Sequence, residues 1–342
     1  MKHIKYIALA FIGGLAISCE TNFLEPVPEV AVSSAGYFLN DEQIETGVIG
    51  IYDAIQGVNS TSLDDNRGVQ IEYYLTEMRS DNTRTKSQEG EAAQFEEFNV
   101  TTQNGLVANY YRSFFNVIYR ANLVLDNLEN ATTGSSAKFE AEAKFARAYA
   151  YFNLVRLFGD LPLVDGLIGP LDTDIAFTRV PAANIYELIV SDFEFAANNL
   201  DNSQKNRASR AAAQGLLAKV HLTLGNYTLA QVLCESIIGG DYSLESNFSD
   251  IFYNESNNEV IFAVGYNPGV EADSQDFSAE WMNGVGRTAG VNYVTNEAIE
   301  ALETFGGDRA PLSYRQDLSQ ATQYQVTKYL PNGEDGGADG KS

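Results

Sequence analysis

Apolar residues recur at the three- and four-residue steps of helices through most of the first 240 positions of this chain. Over residues 41–56, Ile44, Val48, Ile51, Tyr52 and Ile55 fall on one face, and residues 59–67 read as a polar loop. Residues 109–130 predict a helix carrying Tyr110, Phe114, Val117, Ile118, Ala121, Val124, Leu125 and Leu128 inward. Within 141–158, Ala141, Phe145, Ala148, Phe152 and Val155 alternate small and large along one face of an amphipathic helix, which suits close helix–helix packing. Gly159 can take the left-handed cap, and Pro162 blocks any continuation. After a loop to Pro181, residues 184–200 place Ile185, Ile189, Phe193, Ala196 and Leu200 inside, with Asn184 and Glu187 as a capping pair. Residues 209–224 turn Ala213, Leu216, Leu217, Val220 and Leu224 inward, and a further helix spans 228–238. From Gly239 the periodicity fades into Gly, Asn, Ser and aromatic residues, with one β-branched run, 259–266, that predicts a short strand.

The N-terminus has a different character. Lys2 and Lys5 precede an apolar run, Ile7 to Ile17, of 11 residues. A bilayer span needs about 20, so the run reads as the apolar region of a signal peptide, residues 1–18. Ala16-Ile17-Ser18-Cys19 looks like a bacterial lipobox, with cleavage before Cys19 and lipid on its sulfur. Such an anchor holds a protein on a membrane without crossing it.

Charge narrows the choice of partner. Cleavage would remove two of the 22 basic residues and none of the 46 acids, taking the net charge from −24 to −26. That sign repels phosphate backbones, so nucleic acid is excluded as a partner. It also disfavours strongly anionic polymers, unless a local basic pocket overrides the average. Only two cysteines are present, so with Cys19 lipidated no intramolecular disulfide can form. Cys234 is expected to be a buried structural thiol. His3 leaves with the signal, and His221 alone builds neither a metal site nor a catalytic triad. No cofactor is called for. Acidic pairs such as Asp64-Asp65 and Glu96-Glu97 could be recruited for glycoside hydrolysis, but carboxylates are abundant and nothing marks two of them as convergent. Asp172 with Asp174, or Asp335 with Asp339, does not complete a calcium loop.

The wording of residues 141–164, Ala-Glu-Ala-Lys-Phe-Ala-Arg-Ala-Tyr-Ala-Tyr-Phe-Asn-Leu-Val-Arg-Leu-Phe-Gly-Asp-Leu-Pro-Leu-Val, closely resembles a signature of the SusD/RagB family of nutrient-binding outer-membrane lipoproteins. Phe23-Leu24-Glu25-Pro26, the 109–130 helix, the 259–266 run, Asp308-Arg309 and Lys328-Tyr329 resemble further family landmarks. Leu224-Gly225-Asn226-Tyr227, with Ala230, is like the turn of a tetratricopeptide (TPR) hairpin, although no strict period of about 34 residues runs through the chain. The resemblance implies a mainly α fold of TPR-like helical hairpins over 19–238, followed by an irregular, loop-rich ligand-face region with short strands, 239–342. It further implies a surface-exposed outer-membrane lipoprotein that binds a glycan or peptide and hands it to a SusC-like TonB-dependent transporter, without catalysis. The family continues past the Lys-Tyr landmark into more helices, and this sequence stops at Ser342 before them, as either a fragment or a truncated protein would. Lowered stability, seen as a poorly cooperative melt, is expected for that reason.

Glycan binding needs aromatic faces and a few amide, carboxylate and guanidinium groups. Trp281, the single tryptophan, lies in a Gly-rich polar stretch and is the first candidate; its alternative is to plug a gap between subdomains. Arg79, Asp81 and Asn82, with Tyr73 and Tyr74 upstream, form the second group, on a helix-to-loop transition; they could equally be an exposed charged loop. Two other classes stay open: a secreted glycoside hydrolase, and a TPR-like scaffold for protein partners alone.

Overall fold

The computed structural model describes residues 34–57, 68–85, 90–169, 172–254, 257–265, 292–317 and 321–328. Cys19, Trp281, Asp64-Asp65 and the last residues of the chain lie outside them. Two compact units divide at residue 39. In the first, helix α1 (Ser34–Tyr37) ends beside an edge-on contact of Tyr37 with Phe38, ring centres 5.1 Å apart.

The second unit carries the rest. Its helices are α2 (Asp41–Gln56), α3 (Gly68–Leu75), α4 (Gly90–Glu96), α5 (Gly105–Asp126), α6 (Thr133–Phe158), α7 (Thr173–Phe177), α8 (Ala182–Asn199), α9 (Arg210–Thr223), α10 (Tyr227–Ile238), α11 (Asp250–Tyr253), α12 (Asn296–Phe305) and α13 (Ala310–Ser313). Three two-stranded antiparallel ribbons join them: β1 (Thr83–Thr85) with β4 (Asn292–Val294), β2 (Leu161–Pro162) with β3 (Arg179–Val180), and β5 (Tyr314–Gln316) with β6 (Tyr324–Val326). The fold is mainly α. Helices α3 and α2 pack on α5, α5 on α6, α6 on α8, α8 on α9 and α9 on α10, so each layer buries its face against the next, as in helical solenoids.

The predicted helices form, with instructive shifts. Helix α2 matches its predicted bounds, because Asn40 accepts a hydrogen bond from the Gln43 amide at 3.1 Å and Gly57 closes the other end at φ +70°. Helix α5 starts four residues before the predicted 109, where Asn104 accepts from the Val107 amide. Helix α6 is not amphipathic. Ala141, Phe145, Ala148, Phe152 and Val155 are buried, and so are Ala143, Ala146, Ala150 and Leu154 on the opposite side. Small residues there let α5 and α8 cover both flanks. Helix α8 begins at Ala182, so Asn184 is not its cap. The cap comes from a distance: the Asp160 carboxylate accepts from the Ala182 amide at 2.9 Å. Cys234 is exposed rather than buried, because α10 seats only Ala230 fully. Residues 259–265 do not form a strand. Phe262 packs edge-on against Phe145 at 5.4 Å, the Ala263 amide donates to the Lys205 carbonyl, and Gln56 donates to the Gly265 carbonyl, so this run is tied to the helices one contact at a time.

The Ala-Arg-Ala-Tyr wording of α6 has a physical meaning. Arg147 is 5% exposed and Asp192 2%, and the guanidinium meets that carboxylate through two parallel bonds, Nε–Oδ2 2.7 Å and Nη2–Oδ1 3.0 Å. Its remaining nitrogen, Nη1, donates to Asn122 Oδ1 and to the Asp165 carbonyl. Asn122 Nδ2 in turn donates to the Val164 and Gly166 carbonyls, and the Tyr151 hydroxyl accepts from the Val164 amide at 2.7 Å. The signature therefore specifies a buried polar knot that fixes the loop after α6 and ties α5, α6 and α8 together. A second knot joins α2, α6 and the α8–α9 connection. Arg207 clasps Glu142 with two bonds of 2.8 Å and also pairs with Glu45, and the Tyr52 hydroxyl bridges Glu142 and the Ala208 amide.

Candidate functional site

The segment from α3 to β1 holds most of the predicted binding residues, and it forms a ridge that contributes lining residues to two hollows. Helix α3 lies close to α5, where Gly68 leaves room for Phe114; a Cβ there would come within 2.9 Å of that ring. Tyr73 faces inward, 8% exposed, with its ring 4.1 Å from that of Tyr74. It lines neither hollow and supports the ridge from beneath. A single helical turn over Glu77–Arg79 then brings Arg79 to the surface on one side. Ser80 donates back to the Glu77 carbonyl at 2.7 Å, and Asp81 and Asn82 stand exposed at the crest. Strand β4 secures the crest from a position more than 200 residues later. Thr83 is opposite Val294, and the Thr295 hydroxyl donates to the Asp81 carbonyl at 2.7 Å. The C-terminal region therefore meets the ridge directly.

The first hollow, about 350 Å³, is lined by Leu75, Arg79, Phe95, Phe98, Val107 and Phe158, among others. Its distinctive residue is Phe98, which the sequence reading missed. Phe98 is 70% exposed, and the Arg79 guanidinium lies 5.7 Å from its ring centre. Its φ is +52°, in the left-handed region that a bulky side chain avoids, at the end of α4, where glycine is the usual choice. Strain of this kind persists where the surroundings fix it, and it concentrates at functional sites. No sequence signal marks Phe98, since Glu-Glu-Phe-Asn reads as an ordinary polar helix end.

The second hollow, about 400 Å³, shares no lining residue with the first. Asn82 and Thr83 line one wall, Leu302 and its neighbours on α12 another, and Arg309, Val326 and Lys328 the rim. The structure thus sets Arg79 and Asn82 on different hollows rather than in one cluster. Glu96, half of a candidate acidic pair, is occupied elsewhere. It accepts from Arg84 at 2.8 Å and from the Thr85 amide and hydroxyl at 2.8 and 3.0 Å. Burial pushes its carboxyl up, but these donors outweigh it and hold it below the usual carboxylate range. Glu96 is an ionised clamp on β1, not a proton donor.

Stacked helical hairpins define the class: a mainly α, TPR-like helical fold. Residues 23–222 match the model of a SusD-like family described as starch-binding and associating with the outer membrane. The chain belongs to this SusD-like family. It is 25% identical over 353 residues to a SusD-like protein of Bacteroides ovatus, covering 95% of this chain and 58% of that protein. A SusD-like protein of Formosa agariphila is 28% identical over 281 residues, 78% of this chain and 52% of its own length. The chain thus spans little more than half the length of these relatives. Among solved structures, a laminarin-binding SusD-like protein superposes with a TM-score of 0.69 at 22% identity, covering 85% of this chain and 72% of that one. Surface glycan-binding protein A of Bacteroides thetaiotaomicron gives 0.67 at 20% identity, over 86% and 71%. At these identities the likeness is one of fold. Among the described residues no helix is long and apolar enough to cross a membrane.

Proposed function

We propose that this chain captures a nutrient glycan at the cell surface and passes it to a SusC-like TonB-dependent transporter. The observation that carries the reading is the exposed Phe98 face with the Arg79 guanidinium against it, in a family described as starch-binding and outer-membrane-associated; Asp81 and Asn82 follow Arg79 in sequence and are exposed as well. An exposed aromatic face held by a cation offers C–H stacking, and the crest offers groups for hydroxyls. Trp281 supplies a second stacking face, and Tyr73 acts indirectly by supporting the ridge. The Cys19 lipid anchors the protein in the outer leaflet. The helical region 19–238 docks on the barrel, and residues from 239 onward complete the ligand face. Binding is the whole of the activity, without turnover of the glycan.

Two experiments test this. The chain is applied to immobilised oligosaccharides alongside Trp281→Ala, Arg79→Ala and Phe98→Ala variants, and released reducing ends are counted. Retention of at least one glycan is expected, weakened tenfold or more in these variants, with no reducing ends released. Turnover would instead favour a glycoside hydrolase, and no glycan retention a protein scaffold. The native lipidated protein, purified from detergent-solubilised outer membranes, should carry a TonB-dependent barrel in stoichiometric amount. Elution without one would contradict the delivery role.

A further inference from the structure

Phe98 stands where its residue type works against the fold twice. Helix α4 closes with a pair of backbone bonds, the Asn99 amide donating to the Gln94 carbonyl at 2.9 Å and the Phe98 amide to the Phe95 carbonyl at 3.3 Å. Bonds of these two spans make a Schellman closure, whose left-handed residue is usually glycine, because glycine takes a positive φ without strain. Phe98 takes that position at φ +52°, and its ring is 70% exposed. Backbone strain and an aromatic ring in water both lower stability, so packing does not account for this residue, whereas a ligand on the ring does. Strain persists only where the surroundings fix it, and here a polar bracket does so. Gln94 Oε1 accepts from the Thr101 amide at 3.0 Å, the Thr101 hydroxyl at 3.3 Å and Asn104 Nδ2 at 3.0 Å. Asn104, 3% exposed, also donates to the Glu91 carbonyl at 3.0 Å and caps α5 by accepting from the Val107 amide. The Glu91 carboxylate accepts from the Gly105 amide, and a Cβ at Gly105 would come within 3.1 Å of it. The link 97–104 is thus clamped to α4 at one end and to α5 at the other, with Phe98 between the anchors. Gln94 itself does not line the hollow that Phe98 lines.

We infer that Gln94 is a positioning residue of the binding corner. The three bonds to its amide oxygen hold the α4–α5 link in the form that exposes the Phe98 ring, with the Arg79 guanidinium 5.7 Å from the ring centre. The aromatic face is therefore built before a ligand arrives, and stacking on it needs no further ordering of the link. Gln94 acts through Phe98 and not by touching the ligand. The inference rests on the glycan-binding reading above and adds what holds its stacking face in place.

The test compares four changes. Gln94→Ala removes the acceptor, Gln94→Glu keeps an acceptor in its place, Phe98→Gly relieves the turn, and Gln94→Ala is also combined with Phe98→Ala. Each protein is titrated with the oligosaccharide that the wild-type chain retains from the immobilised set, with melting curves confirming that the variants fold. Gln94→Ala is expected to weaken binding about fivefold or more, and Gln94→Glu to stay within about twofold of wild type. Once Phe98 is alanine, Gln94→Ala should cause no further loss, because it acts through that ring. Phe98→Gly should raise the melting midpoint by about 2 °C while affinity falls about tenfold or more. Three results would overturn the inference while leaving glycan binding standing: wild-type affinity in Gln94→Ala, an equal loss from Gln94→Ala in the Phe98→Ala background, or a lowered midpoint in Phe98→Gly. Retention of no oligosaccharide by the wild-type chain would overturn both readings.

Discussion

Arg147 shows how much one side chain can organise. Its five-donor guanidinium reaches Asp192, Asn122 and the Asp165 carbonyl from the middle of α6. Arg147→Ala strands a buried carboxylate and should cost about 3–5 kcal/mol in urea unfolding; a loss under about 1 kcal/mol would show that the knot is dispensable. Tyr151→Phe removes only the hydroxyl that accepts from the Val164 amide, with an expected loss of about 1–3 kcal/mol. Asp41 contributes to an acid response. Hydrogen bonds from the Thr132 hydroxyl first, then its amide, hold the Asp41 carboxyl below the usual carboxylate range. The folded state thus favours the ionised form. Its contribution is present above the unfolded pKa and fades as pH falls below it. Asp41→Asn should flatten the acid limb of the stability curve, and an unchanged limb would assign acid sensitivity elsewhere.

At the scale of elements, the end of α6 is set by Gly159 at φ +68°, with open space where a Cβ would lie. Gly159→Ala should therefore cost about 1 kcal/mol from backbone strain alone, seen as a lower melting midpoint. Periodicity found α2, α5, α6, α8 and α9 because most of their apolar positions pack on neighbouring helices, although Leu224 after α9 is exposed; it found α10 too, where only Ala230 is buried. It failed where the partner is remote in sequence. Asp160 caps α8 from 22 residues away, so Asn184 looked like the local choice. The 259–265 run has strand-like residues but packs on Phe145 instead of pairing. Exposure was legible for part of the candidate site: Arg79, Asp81 and Asn82 do stand on the surface, whereas Tyr73 is buried. Their distribution over two hollows was not, because Thr295 and β4 hold the crest from more than 200 residues away. Phe98 escaped because backbone strain leaves no mark on residue type.

Among the described residues of the second unit, burial falls from the α6–α8 contact to α10. Phe145 and Phe193 sit edge-on at 5.8 Å in the core, and Phe145→Ala should cost about 3–5 kcal/mol. On α10, Leu229, Val232 and Ile238 are exposed, so Val232→Ser should change stability by no more than about 0.5 kcal/mol. A large loss there would mean that α10 is covered in solution. Function belongs at this scale too, because the proposed ligand face needs both the ridge near residue 80 and the region from 239 onward. The most direct test of that account is the affinity of the chain for its retained glycan, compared across wild type, Arg79→Ala, Phe98→Ala and Trp281→Ala. The account predicts saturable binding in the wild type and at least a tenfold loss in each variant, with melting midpoints unchanged. Equal affinity in all four proteins, or binding by none, would contradict it.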